Sequence, residues 1–191
     1  MQTHREEQRQ AIIYKALDCV KNGTYESLSI RDFCAEAGFT TGVFYRNFTS
    51  KESLMYYCYS LILEERLHAV DVLLSGLPCE EQLTRYGLLL LQISADTMQG
   101  KMVFDTNTPD GKFAYEKCHG IAVEKLRHIL EQAASHGEMD SASIPLMMDA
   151  FYVVIVGVGS YAKQRAVEKP TDEEWKERMI RQLIHGMLER A

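Results

Sequence analysis

The sequence predicts an all-α protein of about nine helices, three short ones at the amino terminus and long ones after them. Three observations carry that expectation. Apolar residues recur at i, i+3 and i+4 almost throughout, and no alternating strand of useful length appears. Ser/Thr-x-x-Asp/Glu capping boxes stand at the start of several such stretches. Only four prolines and 12 glycines occur in 191 residues, and most sit at breaks in the periodicity.

From Arg5 to Lys21, Ile12, Ile13, Ala16, Leu17 and Val20 share one face; Thr3 and Glu6 form a capping box, and Asn22-Gly23 supplies the stop. Ser29 starts a second helix with Asp32 at its third position, and Gly38 ends it. Gly38-Phe39 is a tight helix-to-helix turn, where glycine permits a positive φ. Thr40 or Thr41 caps a third helix running to about Phe48. Thr49-Ser50-Lys51-Glu52 is a further capping box, opening a long helix to about Leu74. Pro78 lies in the break Ser75-Gly76-Leu77-Pro78, and Pro109 in the loop-like stretch Asp105–Gly111. Pro145 and Pro170 start the last two helices, where a missing N–H costs little. Thr171 and Glu174 make the last capping box.

Forty-six percent hydrophobic and 25% charged residues are ordinary for a globular protein with a sizeable core. The longest uncharged stretch suited to a bilayer, Ala150 to Ala162, falls short of the roughly 20 residues required. The amino terminus lacks the apolar core of a signal peptide, so a cytoplasmic location is expected. Cysteines 19, 34, 58, 79 and 118 form no C-x-x-C pair and are expected to be reduced and buried. The net charge of −6 argues, taken whole, against a nucleic-acid partner. Residues 1–51, however, hold seven Lys/Arg against six Asp/Glu, and residues 52–191 hold 14 against 21. The acidity belongs to the carboxyl-terminal part.

Ile30, Phe33, Cys34, Val43 and Phe44 can face the first helix as a three-helix core. The third helix then exposes Thr40, Thr41, Gly42, Tyr45, Arg46 and Asn47, with no acid among them. Hydroxyls, a guanidinium, an amide and a phenol suit phosphate contact and readout of base edges in the major groove. Gly42 allows close backbone approach. Lys51 can meet a phosphate through its charge and the free N–H groups of its helix. A helical hairpin with a merely solvated polar face is the alternative.

The run Ile30-Arg31-Asp32-Phe33-Cys34-Ala35-Glu36-Ala37-Gly38-Phe39-Thr40-Thr41-Gly42-Val43-Phe44-Tyr45-Arg46-Asn47-Phe48-Thr49-Ser50-Lys51-Glu52-Ser53-Leu54 resembles the DNA-binding signature of TetR-family transcriptional regulators. The resemblance covers about residues 9–60. It implies a helix-turn-helix DNA-binding domain over residues 1–50 and a ligand-binding and dimerisation domain over 51–191. It further implies phosphate contacts by Tyr45, Lys51 and Thr40 or Thr41, and base readout by Thr41, Gly42, Arg46 and Asn47. Ser29 and Arg31 join the set at the start of the second helix, whereas Phe48 docks the third helix on the core. The family often has histidine where Asn47 stands, a departure that alters which bases are read.

A unit of about 50 residues reading one half-site binds weakly, and two-fold pairing doubles its contacts. Leu146, Met147, Ala150, Phe151, Val154, Ile155, Val158 and Ala162 make one apolar helix, and Trp175, Met179, Ile180, Leu183, Ile184, Met187 and Leu188 another. Helices this apolar must bury more than one face. A four-helix homodimer interface through Met147, Phe151, Val154, Val158, Trp175, Met179, Leu183 and Met187 is expected, with Gly157 and Gly159 allowing close approach; purely intramolecular packing is the alternative. The family resemblance places a small-molecule pocket among the middle helices. Tyr56, Tyr59, Leu89, Ile93, Met98, Met102, Phe104, Phe113, Tyr115, Cys118, His119, Phe151 and Tyr152 are its candidate lining, apolar and adaptable, with a few hydroxyl handles.

The run Val153–Ala162 mimics a dinucleotide fingerprint, but a βαβ context is missing and the residues continue a helical stripe. The six histidines show no ligand spacing, so no metal is expected. No nucleophile elbow or phosphate loop occurs, so neither an enzyme nor a cofactor is expected. The reading is a ligand-responsive regulator, a repressor rather than an activator, binding a palindromic operator as a homodimer. The alternative is a helical ligand-binding or interaction protein that has lost operator recognition.

Overall fold

A computed structural model describes residues 2–98, 104–165 and 173–189. Among them are eight α-helices and no strand: α1 (Gln2–Lys21), α2 (Ile30–Glu36), α3 (Thr41–Asn47), α4 (Lys51–Leu74), α5 (Cys79–Met98), α6 (Pro109–Ser135), α7 (Ile144–Arg165) and α8 (Glu173–Leu188). Two 3₁₀ turns, Tyr25–Ser27 and Ser141–Ser143, complete the order. The chain divides into two compact units. One comprises residues 1–63 with 104–118, the other 64–103 with 119–191. The first unit thus reaches beyond the helix-turn-helix segment to include the opening turns of α4 and of α6.

In the first unit the caps follow the sequence. Ser29 Oγ accepts from Asp32 N at 3.1 Å, and Thr40 Oγ1 accepts from Val43 N at 3.3 Å. Gly38 takes φ +74, a backbone that side chains disfavour, and Phe39 N closes the turn on Cys34 O at 2.8 Å. Ile12, Ile13, Ala16, Phe33, Cys34 and Phe44 form the core of this unit, with Ile30, Leu17, Val20 and Val43 packed against it. Aromatic rings run through it in sequence: Tyr25 to Phe33, Phe33 to Phe44, Phe44 to Phe48 and Phe48 to Tyr57, with centroids 5.6 to 6.3 Å apart. Such edge-on and tilted pairs add about 0.5–1.5 kcal/mol each beyond burial.

In the second unit α5 packs on α7 and α8. Tyr86 and Phe151 stack with centroids 6.0 Å apart, and the Tyr86 hydroxyl donates to Ala122 O at 2.7 Å, satisfying a group that burial would otherwise orphan. Glu81 fastens α5 to α8: it accepts from Arg181 Nη1 at 2.8 Å and from Arg85 Nε at 2.7 Å. The hydrogen bond from Arg181, then that from Arg85, holds its carboxyl below the ordinary 4.5. A depressed folded pKa stabilises above the ordinary value and ceases to do so as pH falls through the folded one. Below about pH 4.5 the wild type is therefore expected to lose a small increment of stability that Glu81→Gln lacks throughout. Parallel acid titrations of thermal midpoints check this.

All five cysteines are buried, and no disulfide joins any two of them. Burial, with Cys19 nearby, pushes the Cys58 thiol up to about 12, so it is an inert core group at neutral pH.

Several expectations are corrected. α1 starts at Gln2, so Thr3 lies inside the helix rather than capping it. Ser50, not Thr49, caps α4, its Oγ accepting from Ser53 N at 3.0 Å. Pro109 opens α6 instead of lying in a loop: Thr108 Oγ1 accepts from Gly111 N, and Asp105 O accepts from Thr108 N. A Cβ on Gly111 would stand 2.2 Å from Asp105 O, so this turn requires glycine. Pro170 and Thr171 lie outside the described residues.

α7 holds the largest difference. Met147, Phe151, Ile155 and Val158 are buried in the second unit's own core. Leu146 (72% exposed), Val153 (73%) and Val156 (65%) lie on the opposite face of the helix. Contrary to the expected interface, Met147, Phe151 and Val158 are thus covered within their own protomer and leave little surface for a second chain. Both faces are apolar, so periodicity alone could not separate them. By length and composition residues 141–161, with a mean hydropathy of 1.8, are also apolar enough to cross a membrane, although Asp149 interrupts them.

Candidate nucleic-acid interface

Thr40, Thr41, Gly42, Tyr45 and Arg46 are exposed together along α3 and its cap. The Tyr45 ring stands edge-on to the buried Phe44 at 5.3 Å, which holds the phenol outward on a fixed base. Ser29 and Arg31 are exposed at the start of α2. The Ser29 hydroxyl donates to Asp32 Oδ2 at 2.6 Å, so that carboxylate is engaged at the cap of its own helix. Lys51 opens α4: its Nζ stands 5.4 Å from the Tyr25 ring centroid, and Lys51 O accepts from the Tyr25 hydroxyl at 3.1 Å. The first turn of α4 is thereby fixed to the core, with a cation in it. The arrangement offers hydroxyl, guanidinium and ammonium donors for phosphates and base edges.

Asn47 departs from the expected role. It is half-buried, and its Nδ2 donates to Val43 O at 2.9 Å, within α3. Its Oδ1 is buried with no hydrogen-bond partner among the described residues. Exchanging the two amide atoms would set an oxygen against the Val43 carbonyl, so the assigned orientation is the favourable one. In this arrangement the amide serves its own helix rather than a base.

Two residues the sequence reading missed support α3 from α1. Arg5 Nη2 donates to Arg46 O at 2.8 Å, satisfying a carbonyl in the last turn of α3. The Arg9 guanidinium faces two rings, Tyr57 at 4.6 Å and Phe48 at 5.2 Å. Their spacing of four residues on one helix was the available signal, but only tertiary packing shows what it meets.

The expected pocket residues fall into both units. In the first, Tyr56 and Tyr59 are buried, and Phe104 lies 6.1 and 6.3 Å from their rings. Phe113 (70% exposed) and Tyr115 lie at the surface, and Cys118 is buried. In the second, Phe151 is core, Leu89 and Ile93 are half-buried, and the exposed His119 stands 5.6 Å from the Tyr152 ring. The Met98 side chain and Met102 lie outside the described residues. Of the expected interface on α8, Leu183 is exposed, and Trp175, Met179 and Met187 are half-buried, as is Val154 on α7. No group of three or more His, Cys, Asp or Glu able to hold a metal occurs among the described residues.

Lys51→Ala is expected to weaken binding to all duplex sequences alike and to lower the salt slope by about one. Titrations over a range of salt concentrations check it, and an unchanged slope would remove Lys51 from the phosphate contacts.

Residues 12–58 match the family model of the bacterial regulatory proteins of the tetR family. Solved structures share the fold over nearly the whole chain. A transcriptional regulator of the TetR/AcrR family from Thermobifida fusca is 19% identical, with a TM-score of 0.62 over 94% of this chain and 98% of that one. The transcriptional regulator FadR from Bacillus subtilis, in complex with stearoyl-CoA, is 13% identical, with a TM-score of 0.58 over 94% and 95%. The fatty acid degradation regulator FadR from Bacillus halodurans is 13% identical, with a TM-score of 0.59 over 95% and 94%. No curated protein matches the sequence.

Proposed function

We propose that this chain, which carries the DNA-binding domain of the TetR-family transcriptional regulators on that family's fold, is a homodimeric repressor released from a palindromic operator by a small molecule. The observation that carries the reading is the acid-free face from Thr40 to Arg46, backed by Lys51 and lying within the matched residues 12–58. Tyr45, Lys51 and Thr40 hold phosphates; Thr41, Gly42 and Arg46 read bases; Ser29 and Arg31 flank them. Residues 1–50 serve DNA, and residues 51–191 serve ligand and dimer.

The dimer is supported by α7, whose outward Leu146, Val153 and Val156 would be covered by a second copy, together with Leu183 of α8. A Cβ on Gly157 would meet nothing within 4 Å in the protomer, which leaves room for close approach of another helix. Pairing also accounts for the apolar length of residues 141–161 without a membrane, and accords with a cytoplasmic regulator. The effector is an apolar small molecule. Because the Bacillus subtilis FadR structure holds stearoyl-CoA, long-chain acyl compounds are the class to try first. A coupling of about 1–3 kcal/mol between effector and operator gives a 5- to 150-fold change in affinity.

Selection of bound duplexes from a random pool tests the reading. Two inverted half-sites centred about 34–36 Å apart are expected. Enrichment of a single half-site, or none, would contradict it and favour a ligand-binding protein without an operator.

A further inference from the structure

Resting on the regulator reading above, we infer that the duplex contact continues from α3 onto the first turns of α1. There His4 and Arg5 hold a backbone phosphate, and His4 makes DNA binding proton-linked. An open cleft of about 630 Å³ lies between the two helices, wholly within the first unit. His4, Arg5 and Gln8 line it from α1, Arg46 and Asn47 from α3. Arg46 also belongs to the exposed DNA-facing set, so cleft and recognition face are continuous.

The charges decide the partner. Arg5 and Arg46 pair with no carboxylate among the described residues. Arg5 spends one donor on Arg46 O at 2.8 Å and keeps the others of its guanidinium for an oxyanion. Glu7 on α1 is the acid that meets His4, its Oε2 3.7 Å from Nδ1. Both side chains are about three-quarters exposed, so that pair is weak. Glu6 is engaged by Gln10 and does not line the cleft. From α3 the charged group lining it is Arg46, a cation, and Asn47 adds no charge. His4, Arg5 and Arg46 are exposed, and so open a cleft suits a phosphate carried on a large partner rather than a free ion.

The ring of His4 supplies the proton linkage. Its Nε2 stands 3.2 Å from the Gln8 amide nitrogen, a donor, so the neutral ring accepts there. Once protonated, both ring nitrogens donate; Nε2 then needs an acceptor, which a phosphate oxygen provides. Binding therefore takes up a proton, and affinity rises as pH falls through the range where histidine gains charge. His4 is the only histidine in the first unit, so the effect is traceable to one residue.

Phosphate contacts are independent of sequence, so a labelled pool of random duplexes serves as the probe, titrated with the full chain by fluorescence anisotropy. The wild type is expected to bind about threefold tighter at about pH 6 than at about pH 8, with a salt slope steeper by about one. His4→Gln is expected to lose most of that difference while binding at the higher pH like the wild type. Glu7→Gln, which removes the competing carboxylate, is expected to bind tighter than the wild type and to remain pH-dependent. A wild type indifferent to pH, a His4→Gln chain that keeps the full difference, or a Glu7→Gln chain that loses it overturns the inference and leaves the regulator reading standing. Absence of duplex binding at either pH overturns both.

Discussion

Exchanging Val156 for glutamate is expected to split the proposed dimer into folded monomers. Val156 and its neighbour along the helix, Val153, are 65% and 73% exposed in the protomer. A charge at such a position changes protomer stability by no more than about 0.5 kcal/mol. In the proposed two-fold interface the same carboxylate would enter an apolar seam, where an unpaired buried charge costs several kcal/mol. Sedimentation equilibrium should therefore show monomer for Val156→Glu while circular dichroism stays helical, and operator affinity should collapse because the half-sites are no longer bound together. Phe151→Glu makes the contrast. Phe151 is 1% exposed and stacked on Tyr86, so that substitution should unfold the second unit instead of merely separating chains. A Val156→Glu protein that remains dimeric would move the interface off α7.

Phe44→Ala is expected to destroy the DNA-facing unit. Phe44 is fully buried and touches Phe33, Tyr45 and Phe48 in one ring cluster. Truncating a buried phenylalanine costs about 3–5 kcal/mol, a large part of the 5–15 kcal/mol that holds a typical domain. Loss extends beyond stability, because Tyr45 is set outward by standing against that ring. Thermal unfolding should show a lower midpoint, and DNA binding should vanish at temperatures where the second unit is still folded. A loss below about 1 kcal/mol would mean that the cluster carries little of the unit's stability.

Much of this was legible in the sequence because it is local. Ser29, Thr40 and Gly38 act on groups a few residues away, so their types and spacing announce the two caps and the turn. The inward set of Ile12, Ile13, Ala16, Phe33 and Phe44 is legible as well, since the three helices that carry it are short or polar enough for their apolar residues to mark the inner side. α7 was not legible in the same way. Its apolar residues surround the axis, and only packing separates Met147 and Phe151, turned inward, from Leu146 and Val153, turned out. Asn47 shows a different limit: an amide at the end of a short helix can serve a base or its own backbone, and only coordinates show the bond to Val43 O. Arg5 reaches Arg46 across 41 residues, which no periodicity reveals. Pro109 sat among loop-forming residues that prove to be the cap of α6.

The central claim is that the face from Thr40 to Arg46, presented twice, lies against duplex DNA. Fluorescence-anisotropy titration of the intact chain against a labelled duplex pool, at two salt concentrations, tests it most directly. The account predicts saturable binding whose affinity falls steeply between low and high salt, as several released counterions require, with Arg46→Ala and Tyr45→Phe each weakening it. Absence of binding at low salt, or binding untouched by those two substitutions, would contradict it.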